Sequence, residues 1–288
     1  MYGSHLSIAG GMHLAADRAR ELGMDSVQIF TKNQQQWKCK PLGVVERDAW
    51  TSAHQRHGFK RTVAHDSYLI NLASPDETLW RKSVELFCEE VSRAEALGIS
   101  YLVTHPGAHM RTRDDPAAEA VGIGRIATAL DLVLDLFPKG TTTVCLESTA
   151  GQGSSLGHKL EHLQDVIALS RNKKRIGVCL DTAHLFAAGY DFRGRKYSKL
   201  MKAIDATIGA ERVKVWHLND SKKELGSRVD RHEHIGHGHI GIDGFRPIVR
   251  DKCWRDVPKI LETAKDEHES GRCWDLVNLE TLRGLEKR

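Results

Sequence analysis

Eight short apolar runs, separated by stretches with helical periodicity, limit what this 288-residue chain can fold into. The strand candidates are Tyr2–Ser7, Ser26–Thr31, Arg61–His65, Ser100–His105, Thr142–Glu147, Arg175–Asp181, Val213–His217 and Lys259–Glu262. Between them apolar residues recur three and four apart. Met12, Ala15, Ala16, Ala19 and Leu22 form one stripe, and Val84, Phe87, Cys88, Val91, Ala94 and Leu97 another. Ile126, Leu130, Val133, Leu134 and Phe137 form a third, Leu160, Leu163 and Ile167 a fourth, and the segment from Tyr197 to Ile208 a fifth. Gly23 and Gly98 follow the first two stripes and Pro138 the third, which are helix stops. Strand and helix alternating in this way predict one (β/α)8 TIM barrel over residues 1–288. An open doubly wound sheet would carry a glycine-rich phosphate loop after its first strand, and Ala9-Gly-Gly11 is too short to be one.

The strand candidates end in chemistry. The third to eighth finish at His65, His105, Glu147, Asp181, His217 and Glu262. In a barrel these ends converge on one rim, where active sites lie. Each has a bland reading alone: a lone buried histidine is usually a core residue, and a strand-end acid usually caps the next helix. Six together are another matter, because unpaired charges at one mouth repel unless cations lie between them. Loops add more donors. Asp181-Thr-Ala-His184 places a second imidazole one turn past a strand-end acid, and Arg228-Val-Asp-Arg-His-Glu-His234 offers Asp230 and His232. Five imidazoles and four carboxylates result, nine side chains in all. One zinc takes three or four ligands, so nine with one shared carboxylate suit three borderline cations, zinc or manganese.

Composition sets the setting. No apolar run approaches the length of a membrane span, and the start of the chain lacks the regions of a signal peptide. Six cysteines without a CxxC pair suggest reduced, mostly buried thiols in a cytoplasm. A net charge of +4 permits a nucleic-acid partner without demanding one.

Seven motifs carry a resemblance. They are Ala64-His-Asp-Ser-Tyr-Leu-Ile-Asn-Leu72, Thr104-His-Pro-Gly107, Leu146-Glu-Ser-Thr-Ala-Gly-Gln-Gly153, Gly177-Val-Cys-Leu-Asp-Thr-Ala-His184, His217-Leu-Asn-Asp-Ser-Lys222, Arg228-Val-Asp-Arg-His232 and Ile260-Leu-Glu-Thr263. In this order they resemble the endonuclease IV family of apurinic/apyrimidinic endonucleases. The resemblance implies a TIM barrel with three zinc ions. One would take His65, His105 and Glu147. A second would share Glu147 and take Asp181, His217 and Glu262. The third would take His184, Asp230 and His232. Three dications bring six positive charges against four carboxylates, so about two remain, which suits a phosphodiester. The implied reaction is hydrolysis of duplex DNA 5′ to an abasic site in base excision repair, leaving a 3′-hydroxyl and a 5′-deoxyribose phosphate. Glu147 and Glu262 would orient the attacking water, and trimming of blocked 3′ ends would use the same pocket. A monomer is implied as well.

The resemblance also assigns DNA contacts. Tyr68 and Leu69 match wedge residues that fill the gap left by a flipped nucleotide. Thr31-Lys-Asn-Gln-Gln-Gln-Trp37 matches a DNA-contacting loop, in which Gln35 and Gln36 would touch the duplex. The family commonly has arginine where Gln35 stands, so a stacking, charge-assisted contact is missing here. Lys222, Lys223, Arg228 and Arg231 are phosphate-contact candidates. His237 and His239 also depart from the family pattern, as ligand-orienting partners or as exposed residues. His5 faces the pocket in that pattern without being a ligand. Two other readings remain on the residues alone. A metal-dependent sugar isomerase or epimerase on the same barrel needs only one or two metals, which leaves His184, Asp230 and His232 surplus. A catalytically silent DNA- or metal-binding barrel would be expected to have lost a ligand.

Overall fold

The structure, a computed structural model, describes residues 1–287. All eight expected strands form. They are β1 (Tyr2–Ser4), β2 (Gln28–Phe30), β3 (Val63–His65), β4 (Tyr101–Thr104), β5 (Thr143–Glu147), β6 (Ile176–Asp181), β7 (Val213–His217) and β10 (Lys259–Leu261). They pair in parallel in the order β1-β10-β7-β6-β5-β4-β3-β2. A parallel bridge between His5 and Gln28 brings the two ends of the sheet together, with Leu6 N–H donating to Gln28 O at 2.9 Å. Between β7 and β10 a short antiparallel ribbon, β8 (Asp220–Ser221) and β9 (His232–Glu233), rises over the rim.

Helices alternate with the strands. They are α1 (Met12–Glu21), α2 (Val44–His57), α3 (Glu77–Ala96), α4 (Pro116–Leu134), α5 (Leu160–Leu169), α6 (Thr182–Ala188), α7 (Tyr197–Thr207), α8 (Ile242–Arg250) and α9 (Trp274–Lys287). The five apolar stripes lie on α1, α3, α4, α5 and α7. Four helices, α2, α6, α8 and α9, escape a search for stripes. Helix α2 buries only Trp50 and Ala53, and α8 starts after Gly241 and contains Pro247. The strands are shorter than expected, β1 ending at Ser4 rather than Ser7. At the rim the chains splay and backbone groups turn to side chains, as Glu262 N–H does to Asn219 Oδ1 (2.7 Å). The cysteine expectation needs correction: Cys145 and Cys179 are buried, Cys39 and Cys88 half-buried, and Cys253 and Cys273 exposed.

Alternation along each strand makes two cores. Outward residues such as Ala64, Leu102, Val144, Leu146, Val178 and Leu180 pack under the helices. Inward residues Val63, Tyr101, Val103, Cys145, Cys179, Val215 and Ile260 fill the barrel itself.

Candidate metal centre

The inward layer dictates the next one. Side chains two apart on a strand share a face. Two residues beyond Val63, Val103, Cys145, Cys179, Val215 and Ile260 stand His65, His105, Glu147, Asp181, His217 and Glu262. The six strand-end residues are therefore the next layer of the barrel interior, where apolar filling gives way to imidazole and carboxylate.

Glu147 lies at the centre and is fully buried. Its Oε2 is 3.1 Å from His65 Nε2 and 3.3 Å from His105 Nε2. Its Oε1 is 3.0 Å from His217 Nδ1 and 3.2 Å from His184 Nδ1. Glu262 Oε2 is 3.1 Å from His217 Nδ1, and Asp181 Oδ2 is 3.9 Å from the same atom. Asp181 bears out its bland reading as well. Its Oδ1 caps α6 by accepting from His184 N–H (2.8 Å), while its Oδ2 accepts from Asn219 Nδ2 (2.6 Å) and faces His232 Nε2 at 3.7 Å. The remaining donors close the cleft from above. Asp230 Oδ2 is 3.1 Å from His184 Nε2, and Asp230 Oδ1 is 3.3 Å from His232 Nε2. The expected loop setting holds for Asp230. It fails for His184, which sits in the first turn of α6 and is held there by the Asp181 cap.

Orientation comes from partners that pattern reading misses. His65 Nδ1 donates to Asp66 O (2.9 Å), and a carbonyl only accepts, so Nε2 is the nitrogen that faces Glu147, donating to it when protonated and free for a cation when not. His217 Nε2 donates to Gln28 Oε1 (2.8 Å), which frees Nδ1 for the centre. Gln28 Nε2 also donates to Glu262 Oε1 (2.5 Å), and His5 Nδ1 lies 3.3 Å from that oxygen. Gln28 and Asn219 are thus site residues that the pattern of strand ends left out. The signal for Gln28 was there: a polar residue inside the apolar run Val27–Ile29.

The donor set fits divalent cations. Four groups of ligand atoms, each within 4.8 Å of one another, can be drawn here: from the rim His65, His105 and Glu147; Glu147, Asp181, His217 and Glu262; and Asp181, His184 and His232; and, with a thiol of the layer beneath, Glu147, Cys179 and His217. His232 Nε2 is buried and makes no hydrogen bond. Protonation also behaves as a cation site would require. Burial opposes the charged forms, yet His217 and His105 hold Glu147 well below the usual carboxylate range. Burial likewise lowers His184 and His232, but Asp181 and Asp230 outweigh it, and His232 is raised to about 9. Protons on imidazoles here occupy the place of cations.

The expected DNA contacts lie around this cleft. Tyr68 is 60 % exposed and its ring stands 5.5 Å from His65 and 6.1 Å from His105; Leu69 beside it is half-buried. Gln35 and Gln36 are exposed on a loop pinned from beneath. Buried Lys32 donates to Asn33 O and Gln36 O, and Glu90 lies 3.5 Å from its Nζ. Lys222 and Lys223 are exposed, with Glu233 3.7 Å from Lys222, and Arg231 is exposed and donates to Asp230 O (2.6 Å). Arg228 differs from its expected role: both oxygens of Asp114 accept from its Nη1, at 2.8 and 3.0 Å. His237 and His239 are exposed, so they orient no rim ligand, and His237 sets its edge against Trp274.

A family profile described as Xylose isomerase-like TIM barrel matches residues 16–281. A protein of Chloroflexus aurantiacus named "Probable endonuclease 4" is 45 % identical over 285 residues, 99 % of this chain and 97 % of that protein. Its namesake in Geobacter sulfurreducens is 44 % identical over 287 residues, 99 % of this chain and 94 % of that protein. Among solved structures, endonuclease IV from Thermus thermophilus superimposes with a TM-score of 0.85 at 35 % identity, covering 99 % of this chain and 98 % of that one. A D-psicose 3-epimerase from Clostridium cellulolyticum gives 0.69 at 13 % identity over 99 % of each chain, a likeness of fold alone.

Proposed function

The chain belongs to the endonuclease IV family, and from that premise we propose that it hydrolyses the phosphodiester 5′ to an abasic site in duplex DNA. The products are a 3′-hydroxyl and a 5′-deoxyribose phosphate, and blocked 3′ ends are trimmed in the same cleft. The observation that carries the reading is the convergence of nine donors on one rim, with four imidazoles within 3.0–3.3 Å of the single carboxylate Glu147. His65, His105 and Glu147 would hold one cation; Glu147, Asp181, His217 and Glu262 a second; His184, Asp230 and His232 a third. Bound zinc acidifies water toward neutrality and neutralises developing charge on phosphoryl oxygens. Glu262, kept in place by Gln28 and His5, accepts a hydrogen bond from the attacking water and sets its line to phosphorus. Glu147 holds the surrounding imidazoles at fixed spacing, so the phosphate meets a site already in position. Ser148 O accepts from His184 Nδ1 (2.8 Å), which aims Nε2 toward Asp230 and the leaving 3′-oxygen.

Recognition is divided among the loops. A nucleotide without its base costs least to extrude. Tyr68 and Leu69 enter the gap, and the exposed Tyr68 ring stacks where the duplex parts. Gln35 and Gln36 reach the opposite side of the helix, while Lys222 and Arg231 follow the phosphates. Arg228, engaged by Asp114, adds less than its charge suggests. The Tyr68→Ala variant is expected to bind an abasic duplex about tenfold more weakly, since stacking is worth about 1–3 kcal/mol. An unchanged titration at fixed salt would remove Tyr68 from the interface.

The deciding experiment uses a duplex with a tetrahydrofuran abasic analogue, in which β-elimination is blocked and any nick is hydrolytic. Zinc-loaded protein is expected to nick it on the 5′ side. A folded, zinc-loaded protein that leaves it intact refutes the proposal, and epimerisation of a ketose by the same preparation would replace it.

Metal uptake should release protons. A free histidine titrates at about 6.5, whereas burial and the opposing pull of Asp181 and Asp230 leave His232 at about 9. This raised imidazole stabilises the metal-free fold below about 6.5, and that contribution is lost as pH rises through about 9. A cation competes with the proton, so apparent affinity should climb with pH until about 9. Calorimetric heats of zinc binding should vary with the buffer's ionisation enthalpy. Heats independent of buffer at about pH 7 would mean that the imidazoles are already neutral.

A further inference from the structure

Away from the nine rim donors, a second set meets where the chain enters α4 and α5. His158 is 7 % exposed, and its Nδ1 donates to Ser155 O (2.9 Å). The carbonyl only accepts, so the proton sits on Nδ1 and Nε2 keeps a bare lone pair. That Nε2 is buried and makes no hydrogen bond. What faces it is another acceptor, Asp114 Oδ1 at 3.8 Å. The ligand atoms of His158, Asp114 and Glu119 lie within 4.8 Å of one another. Protonation does not relieve the conflict, because burial and the neighbouring Arg228 and Lys159 lower the imidazole's pKa against the pull of Ser155 O and Glu119. An unpartnered buried lone pair beside two carboxylates calls for a positive centre between them.

We propose that His158, Asp114 and Glu119 form a further divalent-cation site, built from one imidazole and two carboxylates. Its ligands have outer partners of the kind that orient metal-binding carboxylates. Arg228 holds both oxygens of Asp114, and Lys159 Nζ holds both oxygens of Glu119 at 2.9 and 2.8 Å. Glu119 Oε1 and both Asp114 oxygens each keep a second lone pair for a cation. His162 Nε2 stands 3.3 Å from Glu119 Oε2 and is no ligand, because its Nδ1 accepts from Gly157 N–H (3.2 Å) and its proton is on Nε2. Lys159 and Arg228 already balance the two carboxylates, so the site fills after the rim. Arg228 precedes Asp230 by two positions, which ties this site to the segment carrying two rim donors.

Zinc is the probe. Crystals of the full chain grown with zinc should give an anomalous peak about 2.0–2.1 Å from His158 Nε2 and about 2.0–2.2 Å from the two carboxylates. A water there, or no density, overturns the site. In solution, zinc per chain should fall by one equivalent in His158→Phe and in Asp114→Asn; content equal to the unsubstituted protein overturns it as well. Asp114 is exposed, so its variant keeps the comparison valid if His158→Phe does not fold. The anomalous map of each variant shows whether the missing ion left this site, and loss from the rim with this site still filled would overturn the proposal.

Discussion

Glu262→Gln is expected to slow cleavage of the abasic duplex by about 10³-fold, with DNA affinity changed far less. The substitution keeps the size of the side chain and removes its charge. Glu262 Oε1 accepts from Gln28 Nε2, and Oε2 lies 3.1 Å from His217 Nδ1. His217, next to it, holds this carboxylate well below its ordinary pKa against burial, so it is ionised throughout the neutral range. A glutamine amide in its place would present either an uncharged oxygen or an N–H to the attacking water. Single-turnover rates and equilibrium titrations on the same duplex separate the two effects. Equal losses in rate and affinity would make Glu262 a structural residue and end its proposed part in aligning water.

A larger and different loss is expected from Glu147→Ala. This carboxylate is the common neighbour of His65, His105, His184 and His217. Removing one partner of a buried charged cluster costs about 3–5 kcal/mol, because the remaining groups are left uncompensated. Zinc content should fall by at least one equivalent, cleavage should be undetectable, and the unfolding midpoint should drop even in metal-free protein. Glu262→Gln weakens one of four donors to the second cation and touches no other, so its zinc loss should be smaller than that of Glu147→Ala, whose carboxylate serves two cations. A Glu147→Ala protein with unaltered zinc per chain would refute the bridge.

Why strands were easier to read than helices follows from burial. Each barrel strand is buried on both faces, so Val63–His65, Tyr101–Thr104 and Ile176–Asp181 are apolar runs of their own. Helices are buried on one face only, and their signal scales with that face. Helix α3 buries Leu86, Phe87, Val91 and Ala94 and is plain in the sequence, whereas α2 buries two residues and is not. The rim donors were legible for the same reason as the strands: with period two, an imidazole or acid two places beyond a barrel-filling residue points into the same barrel.

The limit of that reading shows at Arg228. As a basic residue in a rim segment it suggested a phosphate contact; in the fold its guanidinium meets Asp114, which is 114 positions away. Gln28 and His217, 189 positions apart, meet in the same way. Composition and periodicity along the chain determined the barrel, the layer on which chemistry sits and the six donors at the strand ends. Tertiary contacts alone decided which nitrogen His184 and His217 turn to the centre and which charges are already engaged by a neighbour. Strand periodicity is a property of consecutive residues, whereas a hydrogen-bond partner is selected by the closing of the barrel, which brings distant segments within about 3 Å at the rim.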